Sequence, residues 1–292
     1  RQAQRTAAQL NELPPIAGTI QYGRTAIPID IPIHNHIQKA SAHWQAITGV
    51  SNGLEQFVRP RTEAWPDTEA PILNNEAVPI HQVVLHRCAQ NTAEDCVKLL
   101  MSERTMTHIV VDTDGTLIQI ADLGMAVNGT KSEGYDQIAV HVVLPDANTP
   151  LFQDPNDPKT WRLPRKRRTN VEVNGSFQNG WSLAMRQRHS IIALMNALTN
   201  QLPKIAPVFP IDMQRTPTFA ALLTPSNHEG LMTHSNLDKR VSACPGPGLD
   251  LSRLNRSIAA WGRSEESLDL EDWVDELQTP GHAEHAITRF VS

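Results

Sequence analysis

Three residues that lie far apart in the sequence could together hold a catalytic metal ion. His86 ends the short apolar run VVLH, while His234 and Cys244 stand much later, on either side of one loop. A catalytic zinc ion usually has three protein ligands from histidine, cysteine or carboxylate side chains and keeps a fourth position for water. The sequence therefore contains a candidate His-His-Cys set, provided that strand ends bring the three residues together.

Cys244 has the most distinctive setting of the three cysteines. It opens the run CPGPG within THSNLDKRVSACPGPG, and this run predicts a constrained turn whose backbone comes close to another group. Cys88 and Cys96 lack such a setting, and we expect them to be buried and to behave as small apolar side chains. An odd number of cysteines at irregular spacing argues against a disulfide scaffold.

A second group of histidines lies near the N-terminus, at His34, His36 and His43. The sequence HNH invites interpretation as a nuclease or metal site, but no acidic residues accompany it at a suitable spacing. We therefore expect these three side chains to be solvated or to take part in packing.

The elements around His86 can be predicted from local patterns. The apolar run at residues 83–85 is typical of a buried strand. A helix should follow, because Asn91 or Thr92 can cap it and Glu94 and Asp95 favour its first turn.

Further strands and a long helix are predicted beyond that helix. Asp114-Gly115 stands between two β-rich runs and predicts a hairpin, and QIAVHVVL predicts another strand. MRQRHSIIALMNALTNQL has apolar residues at helical spacing and should end before Pro203. This alternation of strands and helices predicts an α/β fold with a mixed central β-sheet flanked by helices.

The chain divides into a core domain at residues 76–256 with an extension at each end. Residues 1–75 form an N-terminal extension in which IPIDIPIHNH could make a strand, and residues 257–292 form a C-terminal helical extension. Residues 145–175 are an insertion without periodicity. It contains RLPRKRR, in which five of seven residues are basic. This run is either a solvated loop or a contact surface for an anionic polymer such as teichoic acid, lipid headgroups or nucleic acid.

The composition is that of an ordinary globular protein. With 40% hydrophobic residues, 20% charged residues and a net charge of −5, neither disorder nor general nucleic-acid binding is favoured. No stretch approaches the roughly 18 apolar residues that a membrane-spanning helix needs, so we expect no transmembrane segment.

Taken together, the order of these parts resembles a known family. It is similar to the zinc-dependent N-acetylmuramoyl-L-alanine amidases of the type-2 amidase and peptidoglycan-recognition-protein superfamily, which includes phage endolysins. The resemblance covers about residues 78–256 and rests on five segments in the family's order: VVLHRCA, THIVVDTDGTLIQI, QIAVHVVL, MRQRHSIIALMNAL and HSNLDKRVSACPGPGLDL.

This resemblance implies an activity and a ligand set. His86, His234 and Cys244 match the family's three zinc ligands. In that family the bound metal activates a water that attacks the amide joining N-acetylmuramic acid to L-alanine in peptidoglycan. His228 competes with His234 as the second ligand, but GLMTHSNLD matches the family's strand-then-histidine pattern and favours His234.

The residues that handle protons depart from the family's pattern. Many members carry a tyrosine where this chain has Thr107, just before His108, and others carry a glutamate where it has His141. A family lysine or threonine two residues before the last ligand is matched by Ser242. We expect His141 to act as a general base or to donate to an oxyanion, Ser242 to hydrogen-bond the developing oxyanion, and His108 to be structural.

Two alternatives stay open, the first because of this departure and the second because of the long extensions. The chain could be a peptidoglycan-binding module that keeps the fold but has lost turnover. It could also be a structural subunit of a phage tail or injection apparatus, with its extensions docked on other particle proteins. In each case the resemblance implies action at the bacterial cell wall; the sequence leaves the localisation open, with a virion-associated or a secreted protein as the two options.

Overall fold

The structure is a computed structural model, and it describes residues 18–23, 25–37, 58–60, 80–127, 136–144, 167–241 and 243–260. The strands in these ranges are β1 Gly18–Tyr22, β2 Thr25–Ile29, β3 Ile33–Asn35, β4 Val58–Pro60, β5 Gln82–Cys88, β6 Ile109–Val111, β7 Leu117–Gln119, β8 Met125–Val127, β9 Gln137–Val143, β10 Arg167–Val173, β11 Ser176–Trp181 and β12 Gly230–Thr233. The α-helices are α1 Ala93–Ser102, α2 Met185–Gln201, α3 His234–Leu237 and α4 Leu251–Ala260.

A six-stranded mixed sheet forms the centre of the fold. Its order is β12-β5-β9-β6-β7-β3. β12, β5, β9 and β6 run parallel, β7 is antiparallel to β6, and β3 is parallel to β7. The predicted α/β fold with a mixed sheet flanked by helices is therefore confirmed. Among the helices in the described ranges, none is both long enough and apolar enough to cross a bilayer.

The two faces of the sheet contact different groups of apolar residues. Val83 and Leu85 of β5 belong to a large core that includes α2, α4 and the β1–β2 hairpin. Cys88 of the same strand belongs to a smaller cluster with Cys96 and Leu100 of α1. Side chains alternate across a strand, so residue 86 lies on the α1 side. Burial on both faces explains why β5 and β9 are nearly continuous apolar runs.

Helix α1 begins as its sequence predicts. Thr92 is the N-cap, and its hydroxyl accepts a hydrogen bond from the Asp95 backbone N–H at 3.1 Å. Cys88 and Cys96 are buried free thiols, which confirms the expected packing role. A hydrogen bond with Cys88, together with burial, raises the pKa of the Cys96 thiol far above its usual range.

The predicted hairpin is formed by β6 and β7 around Asp114-Gly115. Gly115 has φ +89°, and a Cβ at this position would lie 2.7 Å from the backbone carbonyl of Arg186. Both the backbone angle and the space therefore require glycine. The long helix α2 is also confirmed, and it ends at Gln201, before Pro203.

Two segments that lack a clear sequence pattern contribute to the fold. Within the predicted N-terminal extension, Ile20, Ile27 and Ile29 are buried in the large core, and β3 forms an edge of the main sheet. The IPIDIPIHNH segment thus contains strand structure, as predicted. Within the predicted insertion, β10 pairs with β11 as a hairpin. The predicted C-terminal helix and most of the basic run lie outside the described residues, and the domain boundaries stay a prediction.

Candidate metal centre

Three histidines form a row across the sheet, two of them on adjacent parallel strands and the third directly after the next strand. His86 of β5 pairs directly with His141 of β9, and Thr233 of β12 pairs with Leu85. His234 follows Thr233 and so comes level with His86. Adjacent strands lie about 4.8 Å apart, and the ring centroids match this spacing at 4.5 Å for His86–His141 and 4.8 Å for His86–His234. The sheet register therefore brings residues from three distant segments together.

A tight polar turn fixes the position of His234. The Asn236 side-chain oxygen accepts hydrogen bonds from the backbone N–H and the hydroxyl of Thr233, at 2.8 and 2.7 Å. The Asn236 amide donates to the carbonyls of Thr218 and Ala220 at 2.9 and 2.8 Å. Asn236 and Thr233 are both fully buried. The start of helix α3 is thus tied to the preceding strand and to a neighbouring loop, with His234 held between them.

The Pro-Gly turn brings Cys244 against the end of β5. The peptide bond between Cys244 and Pro245 is cis, and Gly246 has φ +77°. The Arg87 backbone N–H donates to Cys244 Sγ at 3.2 Å, and Sγ lies 3.9 Å from His86 Nδ1. The positive φ of Gly246 confirms the predicted constrained turn, and a Cβ at this position would lie 3.2 Å from the side chain of Arg87, which follows His86 in β5.

The structure brings the three predicted ligands together. One ligand atom from each of His86, His234 and Cys244 lies within 4.8 Å of the other two, and no other group of this kind occurs within the described ranges. Around a tetrahedral zinc ion a histidine nitrogen and a cysteine sulfur would lie about 3.6 Å apart, close to the 3.9 Å between Nδ1 and Sγ. The donor set of two imidazoles and one thiol suits zinc.

The surroundings favour the thiolate form of Cys244, the form that binds metals. Burial opposes this charge, but hydrogen bonds and charge interactions with His234 and His86 outweigh burial and lower the pKa of Cys244 to about 6. The Arg87 N–H stabilises the same negative charge. At neutral pH the cluster therefore presents a thiolate beside two imidazoles.

His141 lies beside the cluster and is not one of its three members. Its ring stacks on His86, with 10° between the ring planes. Burial, and then the proximity of His86 and His234, lowers the pKa of His141 well below its usual range. Its Nδ1 is buried and has no hydrogen-bond partner among the described residues. The lowered pKa keeps this imidazole neutral at neutral pH, so that one of its ring nitrogens carries a lone pair.

His108 and Thr107 have side chains that contact backbone groups, and Ser242 lies outside the described residues. His108 accepts a hydrogen bond at Nδ1 from the Ala139 N–H, and its Nε2 lies 2.9 Å from the Met125 carbonyl oxygen. This confirms the predicted structural role. The Thr107 hydroxyl is within hydrogen-bond distance of two backbone carbonyls, at 3.0 and 3.2 Å.

The other histidines considered do not join the cluster. His228 Nε2 lies 3.0 Å from the Leu231 carbonyl oxygen, which agrees with the preference for His234. The rings of His34 and His36 lie 6.1 Å apart, without a third ligand in the described part of the chain. His43 lies outside the described residues.

The sequence analysis did not identify the groups that support the segment between His234 and Cys244. Asn236 stands three residues after Thr233, a spacing typical of helix N-termini, although glutamate or glutamine is the usual residue there. The β10–β11 hairpin has Asn174-Gly175 at its tip, and this dipeptide is a strong hairpin signal.

Comparisons with known proteins find only distant likeness. No protein-family model matches the chain, and no curated protein matches it in sequence. Among solved structures it is similar to the endolysin N-acetylmuramoyl-L-alanine amidase LysCS from Clostridium intestinale URNW, with 12% identity and a TM-score of 0.37 over 62% of this chain and 84% of that chain. It is also similar to a selenomethionine derivative of AmpD, with 13% identity and a TM-score of 0.37 over 68% of this chain and 90% of that chain. Likeness at this level does not assign the chain to a family.

Proposed function

We propose that this chain is a zinc-dependent hydrolase that cleaves the amide between N-acetylmuramic acid and L-alanine in peptidoglycan. One observation carries the proposal: the ligand atoms of His86, His234 and Cys244, from remote parts of the sequence, lie within 4.8 Å of one another. The resemblance of five ordered segments to the amidase family supports the choice of substrate.

The three proposed ligands differ in chemical character. His86 and His234 are buried and supply imidazole nitrogens, and the Cys244 thiolate supplies negative charge. A zinc ion held by these residues would supply a water of lowered pKa and would polarise the scissile carbonyl. The Arg87 N–H and the Pro-Gly turn keep the thiolate in place.

We assign the proton transfers to His141. Its neutral imidazole accepts a proton from the attacking water and then delivers it to the amine nitrogen of the departing stem peptide. The ring of His141 lies 4.5 Å from that of His86, and this proximity to a proposed metal ligand supports the assignment. Ser242 is proposed to donate a hydrogen bond to the oxyanion that develops on the carbonyl.

A peptidoglycan-binding module without turnover is the second candidate. The observation that favours it is the environment of Thr107, which is fully buried with its hydroxyl bound to backbone carbonyls. This residue therefore cannot replace the family's tyrosine in handling protons. Docking of the extensions on phage or injection-particle proteins stays a prediction.

Incubation of the purified, zinc-loaded chain with muropeptides separates the two candidates. The amidase releases free stem peptides, and both a chelator and His86→Ala abolish the release. Release that survives both treatments would contradict the zinc mechanism. Binding to sacculi without any release of stem peptides would establish the binding module instead.

A further inference from the structure

We propose that Asn174, at the tip of the β10–β11 hairpin, is a positioning residue that holds the segment between His234 and Cys244 in its zinc-binding shape. The inference rests on the proposed function for the role of those two residues. Within the described residues, the Asn174 side chain bonds to backbone groups and to neither ligand side chain, so it acts through the backbone of the segment that joins the ligands.

The Asn174 side chain contacts three carbonyls of that segment. Its amide nitrogen lies 2.9 Å from the carbonyl oxygen of Ser235, 3.2 Å from that of Asp238 and 2.7 Å from that of Val241. Its side-chain oxygen accepts a hydrogen bond from the Ala221 N–H at 2.7 Å. One half-buried amide therefore joins the hairpin to two separate loops.

The three carbonyls are spread along the segment between the ligands. Ser235 directly follows His234, and Val241 comes three residues before Cys244. One amide group that contacts three points along a loop reduces the number of conformations that the loop can adopt. Because both ligands are attached to this loop, the same contacts limit the distance between His234 and Cys244.

The hairpin also packs against the far end of the Pro-Gly turn. A Cβ on Gly180 would lie 2.9 Å from the Pro247 side chain, and one on Gly248 would collide with the carbonyl oxygen of Trp181. The Leu183 N–H donates to the Gly248 carbonyl at 3.2 Å. The hairpin thus contacts the chain on both sides of Cys244. Asn174, at the hairpin tip, contacts Ser235, Asp238 and Val241, and the other end of the hairpin packs against Pro247 and Gly248.

The chemistry of this position calls for asparagine. Asn174 and Gly175 have φ +48° and φ +78°, as in the type I′ turn that Asn-Gly favours. Glycine at position 174 would keep this backbone but remove the amide. Aspartate would keep the shape and the acceptor for Ala221, but it would direct a negatively charged oxygen at three carbonyl oxygens.

Two variants and a matched control test the proposal. Asn174→Gly removes the amide without straining the turn, and Asn174→Asp replaces the donor with an acceptor. Asn170→Gly is the control, because Asn170 lies in the same hairpin at φ +55°, is exposed, and has no side-chain hydrogen bond in the described structure. Zinc affinity is measured by competition with a chromogenic chelator, and metal-free stability by thermal unfolding.

Both Asn174 variants should bind zinc about 10- to 100-fold more weakly, as is typical when a group that orients metal ligands is lost. Asn170→Gly should bind zinc like the unmodified chain. The unfolding temperature of metal-free Asn174→Gly should lie only a few degrees below that of Asn170→Gly, because the lost hydrogen bonds join loops and leave the core packing unchanged. A cobalt-loaded Asn174→Gly chain should also show a weakened thiolate-to-cobalt absorption band.

Unchanged zinc affinity in Asn174→Gly would overturn the proposal, and so would a loss of affinity matched by a general loss of metal-free stability. Hydrogen exchange of the metal-free chain keeps this test separate from the proposed function. Amides of residues 235–241 should exchange faster in Asn174→Gly than in Asn170→Gly, and equal exchange would overturn the positioning role. A failure of the unmodified chain to bind zinc would instead contradict the proposed function.

Discussion

Cys244 should react with alkylating agents at a pH well below that of an ordinary thiol. Cys244 is half-buried, whereas the side chains of Cys88 and Cys96 are only 4% and 0% exposed. Alkylation of the native metal-free chain should therefore occur at Cys244. The thiolate is the reactive form. With its pKa lowered to about 6, Cys244 should be half ionised at that pH.

The size of the effect follows from the pKa. A thiol of pKa about 6 is about 90% thiolate at pH 7, whereas an ordinary cysteine of pKa about 8.5 is only about 3% thiolate. Because a less basic thiolate is also a weaker nucleophile, the midpoint of the pH profile, and not the absolute rate, is the quantity to compare.

Iodoacetamide labelling followed by intact mass spectrometry gives this midpoint. The rate of single labelling should rise through a midpoint near pH 6, disappear in Cys244→Ser, and be suppressed by added zinc. His86→Ala should move the midpoint to higher pH, because it removes one of the hydrogen bonds that stabilise the thiolate. A midpoint near that of an ordinary thiol in the unmodified chain would refute the electrostatic reasoning.

Three further outcomes are expected. His141→Ala should slow stem-peptide release by about 10²- to 10⁴-fold, the usual contribution of a general acid–base, while zinc content stays unchanged; unaltered turnover would remove His141 from the mechanism. Gly115→Ala should destabilise the chain by about 1–3 kcal/mol in denaturant unfolding, because an L-residue is strained at φ +89° and its Cβ would meet Arg186. Zinc should raise the thermal unfolding temperature, and a chelator should reverse the shift, because a ligand that binds only the folded state stabilises it.

Local signals were sufficient for the elements around the first ligand. The run at residues 83–85 predicted β5, Thr92 marked the start of α1, and Asp114-Gly115 marked the β6–β7 turn. Each of these features depends on neighbours in the sequence, namely a cap, a turn dipeptide or an apolar run. That is why composition and spacing could locate them.

Features that depend on remote contacts were harder to foresee. The row of His234, His86 and His141 arises from the parallel register of β12, β5 and β9, which no local pattern specifies. The burial of Ile20 in the large core likewise depends on packing against distant segments. The β10–β11 hairpin did have a local signal in Asn174-Gly175, but the proline-rich, charged sequence before it favoured a loop. How Asn174 uses its amide could be learned only from the structure.

X-ray absorption spectroscopy of the zinc-loaded chain tests the central claim most directly. We predict one zinc ion per chain, with one sulfur neighbour at about 2.3 Å and nitrogen or oxygen neighbours at about 2.0–2.1 Å. The sulfur signal should disappear in Cys244→Ser. A chain that retains no zinc, or a zinc environment without sulfur, would contradict the proposal that His86, His234 and Cys244 form a metal centre.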